Sequence, residues 1–121
     1  MKMFAADGRI YQIEYAYKAA QSAGQTSIAI RGRDSVVVCT EKKVPDALVV
    51  PDSIQHIFNV ADDIGAVVVG NAVDARYCVQ MLRMLASNFK YKWYYEIPVH
   101  VLAQMFAAKV QEVGQYNGIR T

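Results

Sequence analysis

Two short runs carry apolar residues at consecutive rather than alternate positions: Val36-Val37-Val38-Cys39 and Ile64-Gly65-Ala66-Val67-Val68-Val69. A strand sends successive side chains to opposite faces, so such a run suits a strand with both faces covered. Two of them in one chain predict a layered sandwich rather than a sheet with one wet face. Thr26 to Arg31 and Ser35 to Thr40 flank Gly32-Arg33-Asp34 and read as an antiparallel hairpin. Ile54 to Val60 and Ile64 to Val69 read as a second pair that turns at Ala61-Asp62-Asp63. Between the pairs, Pro45 and Pro51 exclude a central strand and leave an irregular connection.

Helical spacing brackets these strands. Ile13, Ala16, Tyr17 and Ala20 recur at i, i+3, i+4 and i+7, with Asp7 available as a cap and Gly24 suited to a left-handed stop. Glu14 and Lys18 add a favourable i, i+4 pair. From about Ala72 the spacing of Ala75, Cys78, Val79, Leu82, Leu85, Ala86 and Phe89 predicts a long core-facing helix. Glu96-Ile97-Pro98 interrupts it, and Leu102, Met105, Phe106, Val110 and Val113 mark another, ending near Gly114 or Gly118.

At 121 residues, 54% of them hydrophobic and 20% charged, the chain is expected to form one domain with a substantial core. A net charge of +2 implies neither a nucleic-acid nor a membrane partner. Met1 to Ala6 lacks a signal-peptide pattern and the apolar runs are far shorter than a membrane span, so a soluble, intracellular protein is expected. Cys39 and Cys78 form no C-x-x-C and read as reduced thiols.

Little in the chain signals chemistry. His56 and His100 lie far apart with no accompanying motif, and Asp62-Asp63 is explained by turn formation, so neither metal nor cofactor is expected. Lys90-Tyr91-Lys92-Trp93-Tyr94-Tyr95 interleaves basic and aromatic residues, as a single-stranded nucleic-acid platform would. The competing reading is a helix terminus whose aromatics pack on a neighbouring subunit. It is preferred because nothing else extends a basic groove. Tyr11, Tyr15 and Tyr17 read likewise as anchors on an assembly helix.

Phe4, Asp7, Gly8, Arg9, Gln12, Ile13, Glu14 and Tyr15, followed by Gly24-Gln25-Thr26-Ser27, resemble the signature of proteasome alpha subunits. Ala5-Ala6 stands where that signature has Ser-Pro. Lys42-Lys43-Val44-Pro45-Asp46 and the stretch from Lys90 to Val99 look most like the alpha type-6 class. The resemblance implies an α+β chain of the four-layer αββα sandwich, N-terminal-nucleophile hydrolase type. This chain would supply its first half only: N-terminal helix, two β-hairpins and two long helices. Residues 1–121 would be a single incomplete domain truncated at both ends, with the signature helix over 1–24, strands over 25–70 and helices over 71–121.

The implied function is a non-catalytic structural subunit of the 20S core in ubiquitin-dependent protein catabolism, in cytoplasm and nucleus. Its implied partners are other alpha subunits, the beta ring, and the C-terminal tails of a regulatory particle or activator, with no nucleic acid and no membrane. Gly8, Arg9, Gln12, Glu14 and Tyr15 would serve ring assembly and the gate, and Ala6, in place of a proline, would leave the gate turn less fixed. His56 falls where many family members carry a lysine that receives an activator's terminal carboxylate, so weaker binding is expected. The alternative reading of His56 is a residue alternating outward on a strand. The alternative function is an active N-terminal-nucleophile peptidase or amidase. Against it, Gln25 falls at the nucleophile position, Thr26 and Ser27 follow an unprocessed helix, and Glu41 at the acidic position lacks visible partner chemistry.

Overall fold

The computed structural model describes residues 6–8, 11–22 and 24–116. Helix α1 (Tyr11–Gln21) is followed by β1 (Ser27–Arg31), β2 (Val36–Thr40), a 3-10 turn (Pro51–Ser53), β3 (Ile57–Ala61), β4 (Ile64–Val67), α2 (Ala72–Trp93) and α3 (Val99–Tyr116). This α+β order of one helix, two hairpins and two long helices is the expected one. Phe4, Ala5, Arg9 and Gly118 lie outside the described residues.

α1 stops as its composition predicts. Gly24 adopts φ +60°, a left-handed conformation that costs glycine little. β1 and β2 pair from Ser27↔Thr40 to Arg31↔Val36, and the Gly32 amide donates to the Ser35 carbonyl at 2.7 Å to close the turn.

Directly opposed residues share a face. Ile28, Ile30, Val37 and Cys39 therefore form one apolar face, and all four are exposed. On the other face Ser27, Val38 and Thr40 are half-buried while Val36 is exposed. The expectation that both faces of 36–39 are covered is thus not met within the described residues. The reason is where the long helices pack: they cover the second hairpin.

That second hairpin pairs Ile57↔Val67, Phe58↔Ala66, Asn59↔Gly65 and Ala61↔Ile64, with an irregularity between Asn59 and Ala61. The extra residue is Val60, and bulging lets it and Ala61 both reach the core. Val60, Ile64, Ala86, Ile97 and Leu102 form the central cluster, so the core lies between β3–β4, α2 and the start of α3. Leu82, Leu85 and Phe89 pack against it, as the helical spacing predicted. Ile97, 2% exposed, contributes about 1.5–3 kcal/mol by burial.

Both ends of α2 are fixed locally. Asn71 Oδ1 accepts from the Val73 amide at 2.9 Å, capping the first turn. At the other end Tyr94 adopts φ 62° and its amide donates to the Lys90 carbonyl at 2.8 Å. α3 then starts on the Pro98 carbonyl, which accepts from Val101 and Leu102.

Candidate functional site

His56 sits just before β3, not on a strand. Pro51 opens a 3-10 turn, Ser53 Oγ donates to the Val50 carbonyl at 2.7 Å, and Gln55 Nε2 donates to the Ile57 carbonyl at 2.7 Å. These local bonds delay the strand, which begins at Ile57 rather than Ile54. The His56 carbonyl still accepts from the Val68 amide at 2.9 Å. Its side chain is half-buried, and Nε2 is sealed from solvent with no hydrogen-bond partner among the described residues. This overturns the outward-alternating reading. A buried polar nitrogen left unpaired is costly.

His56 lines a cavity of about 230 Å³ whose other walls are Ser53, Ile54, Gln55, Phe58 and, from the start of α2, Gly70, Ala72, Ala75 and Arg76. Ala72, Ala75 and Arg76 lie at i, i+3 and i+4, so one helical stripe presents them together. A smaller cavity of about 160 Å³ adjoins it, between Ala16, Ala19 and Ala20 of α1 and the segment Val68 to Asn71 with Asp74, Ala75 and Cys78. Gly70 and Ala75 belong to both walls. Gly70 holds φ +128°, which a side-chain-bearing residue rarely adopts. Burial, and then the Asp74 charge, pushes the Cys78 thiol above its ordinary pKa, so it is a poor nucleophile.

Of the remaining candidates, Gly8 lies in an exposed turn at φ 85°, Glu14 is half-buried on α1, and Tyr15 is exposed. Glu14 and Tyr15 each engage a partner. Gln12 belongs to α1 by its backbone, while its side chain and all of Arg9 lie outside the described residues. None of these residues lines the His56 cavity. Ala16, Ala19 and Ala20 of α1 line the smaller cavity instead.

Of the groups a peptidase could use, the Ser27 hydroxyl and the Glu41 carboxylate are engaged otherwise. Ser27 Oγ donates to Thr40 Oγ1 at 2.8 Å, clamping the open end of the first hairpin. The Thr26 carbonyl extends that ladder by accepting from the Glu41 amide at 3.1 Å, and the Glu41 side chain pairs with Lys43 at 3.4 Å.

Lys90 forms an ion pair with Glu96 and a longer one, 3.9 Å, with Asp62 in the β3–β4 turn. Lys92 lies 5.3 Å from the Trp93 ring centre, and Phe89 meets Tyr95 edge-on at 5.2 Å. Tyr91, Trp93, Tyr94 and Tyr95 are exposed, whereas both lysines have local partners. His100 is exposed on the first turn of α3. Among the described residues, no group of three or more His, Cys, Asp or Glu side chains is placed to hold a metal ion. Nor is any described helix long and apolar enough to cross a membrane.

Sequence reasoning missed Arg76, Gly70 and the Asn71 cap. The available signals were Gly70-Asn71 ahead of a helical period and the spacing of Ala72 and Arg76 on one stripe.

The profile of a family described as "Proteasome subunit" matches residues 21–121. A probable proteasome subunit alpha type-1 of Schizosaccharomyces pombe is 39% identical over 98% of this chain and 48% of its own length. A proteasome subunit alpha type-6 of Caenorhabditis elegans is 33% identical over 94% of this chain and 45% of its own length. A proteasome subunit alpha of the species Methanopyrus kandleri is 33% identical over 98% and 48% respectively. The chain spans about half the length of the curated relatives it matches. With the fold order and the signature residues, these likenesses place the chain in the proteasome subunit family, among relatives named as alpha subunits.

Proposed function

We propose that this chain serves as a non-catalytic structural alpha subunit of the 20S proteasome core, in cytoplasm and nucleus. It joins other alpha subunits in the outer ring, rests on the beta ring, and helps gate substrate admission for protein degradation. The observation that carries this reading is the first hairpin. Gln25 stands where a nucleophile would be needed, and the nearby Ser27 hydroxyl is committed to Thr40. In this reading α1 and the exposed aromatics of residues 91–95 meet neighbouring subunits, and the His56 cavity receives a regulator's terminal carboxylate.

Native mass spectrometry after co-expression with alpha subunits tests this. Incorporation into alpha-type rings is the expected result. A chain found only free, with steady fluorogenic-peptide hydrolysis abolished by Thr26→Ala or Ser27→Ala, would refute it in favour of a peptidase.

A further inference from the structure

We propose that Leu48 is a docking knob, and that it seats in the apolar cavity between α1 and the start of α2 on a second copy of this chain. The proposal rests on the ring-building role given above, for which it names one contact. Leu48 is 91% exposed. It is nonetheless held in place: its amide donates to Asp46 Oδ1 at 3.0 Å and the Val49 amide to the Asp46 carbonyl at 3.1 Å, so Asp46 closes the turn twice. Pro45 and Pro51 stiffen the two approaches, and exposed Val44 and Val50 widen the apolar tip. A large apolar side chain already ordered in water gains by burial and has little backbone freedom left to lose on docking.

The hole matches the knob in chemistry and size. Ala16, Ala19 and Ala20 of α1, with Val68, Val69 and Ala75, give it apolar walls. An apolar cavity of about 150 Å³ takes a benzene-sized group, so this one, at about 160 Å³, accommodates the isobutyl group of a leucine. Charge agrees with that pairing. Asp46 and Asp52 bracket Leu48, whereas exposed Lys18 and Arg76 adjoin Ala19 and Ala75 of the wall. Asp74, also in the wall, is already engaged.

Because Leu48 is exposed, it does not fill the hole of its own chain. Knob and hole are different surfaces, so each copy offers a knob to one neighbour and a hole to the other. This is the head-to-tail contact from which rings are built.

Cys78 lines the hole and permits a direct test on the full chain. The background carries Cys39→Ser, to remove the exposed thiol, and Ile30→Lys with Val37→Lys, to silence the first hairpin. In it, Leu48→Cys is oxidised with copper phenanthroline and the products are mapped by mass spectrometry. A disulfide from position 48 to Cys78 of another copy is expected, giving dimers and longer ladders that vanish with Cys78→Ala. In sedimentation runs on the unoxidised background, Leu48→Asp and the hole-filling Ala20→Phe should each weaken self-association about tenfold or more. Both positions are exposed, so unchanged circular dichroism spectra are expected. Disulfides only between two introduced thiols, or self-association unchanged by Leu48→Asp and Ala20→Phe, overturn the knob-and-hole contact. If the chain nevertheless enters alpha-type rings on co-expression, the subunit reading stands without this contact. A chain that neither self-associates nor enters such rings overturns both.

Discussion

Arg83 Nε donates to the Asn59 carbonyl at 2.8 Å, joining the middle of α2 to β3 next to the bulge at Val60. The bond spans elements far apart in sequence and sits where the β3–β4 ladder is interrupted. Arg83→Met keeps much of the aliphatic stem but removes the donor. It should cost about 1 kcal/mol, seen as a lower urea midpoint with an unchanged m-value. An unchanged midpoint would show that the bond contributes nothing.

Lys90 gives the chain a pH signature at the alkaline end. The hydrogen bond to Glu96, followed by the Glu96 charge, holds the ammonium above its ordinary value of 10.5, with smaller help from Asp62 and Asp63 and opposition from desolvation. A folded-state value above the unfolded one means stability that is present below the unfolded pKa and lost as pH rises through the folded pKa. The urea midpoint of wild type minus that of Lys90→Met should therefore be flat up to about pH 10 and shrink above it. Subtraction removes the titration of Cys78, which both proteins share. A difference that grows with alkaline pH would contradict the pairing.

Tyr94 ends α2 in a left-handed conformation with its side chain 91% exposed. Glycine adopts that backbone without the Cβ clash, and almost no side-chain burial would be lost. Tyr94→Gly should be neutral to stabilising, up to about 1 kcal/mol, and Tyr94→Val destabilising, as read by thermal melting. Stabilisation by valine would refute the assignment of strain.

The exposed face of the first hairpin predicts how the isolated chain behaves. Ile28, Ile30 and Val37 are each at least 60% exposed on one face, a contiguous apolar surface of the kind that drives association. Light scattering should detect aggregation of the isolated chain that Ile30→Lys with Val37→Lys reduces, without lowering the unfolding midpoint of the β3–β4/α2/α3 core. Ile97→Ala should do the opposite, costing about 2–5 kcal/mol. A wild-type chain that stays monomeric at high concentration would count against the first expectation.

Local patterns were legible where short-range physics decides. The periods of α2 and α3, the Gly24 stop of α1, the Asp62-Asp63 turn and the break at Glu96-Ile97-Pro98 each follow from spacing, turn chemistry or proline sterics. The start of β3 was misplaced because Ser53 and Gln55 satisfy nearby carbonyls with their side chains, a competition that a count of apolar residues does not see.

The signature and the apolar runs also made the family legible, because that likeness resides in the order of residues and needs no coordinates. Tertiary structure alone decided which apolar strand found cover. Val36 to Val38 and Ile64 to Val67 are both apolar runs, yet among the described residues the core formed with α2 and α3 takes in the second, so burial depends on which partner surface is at hand. It also decided the site. Nothing in the spacing of His56 and Arg76 pairs them; the first turns of α2 do so by lying along the segment before β3, placing one cation and one unpaired imidazole nitrogen around a single cavity.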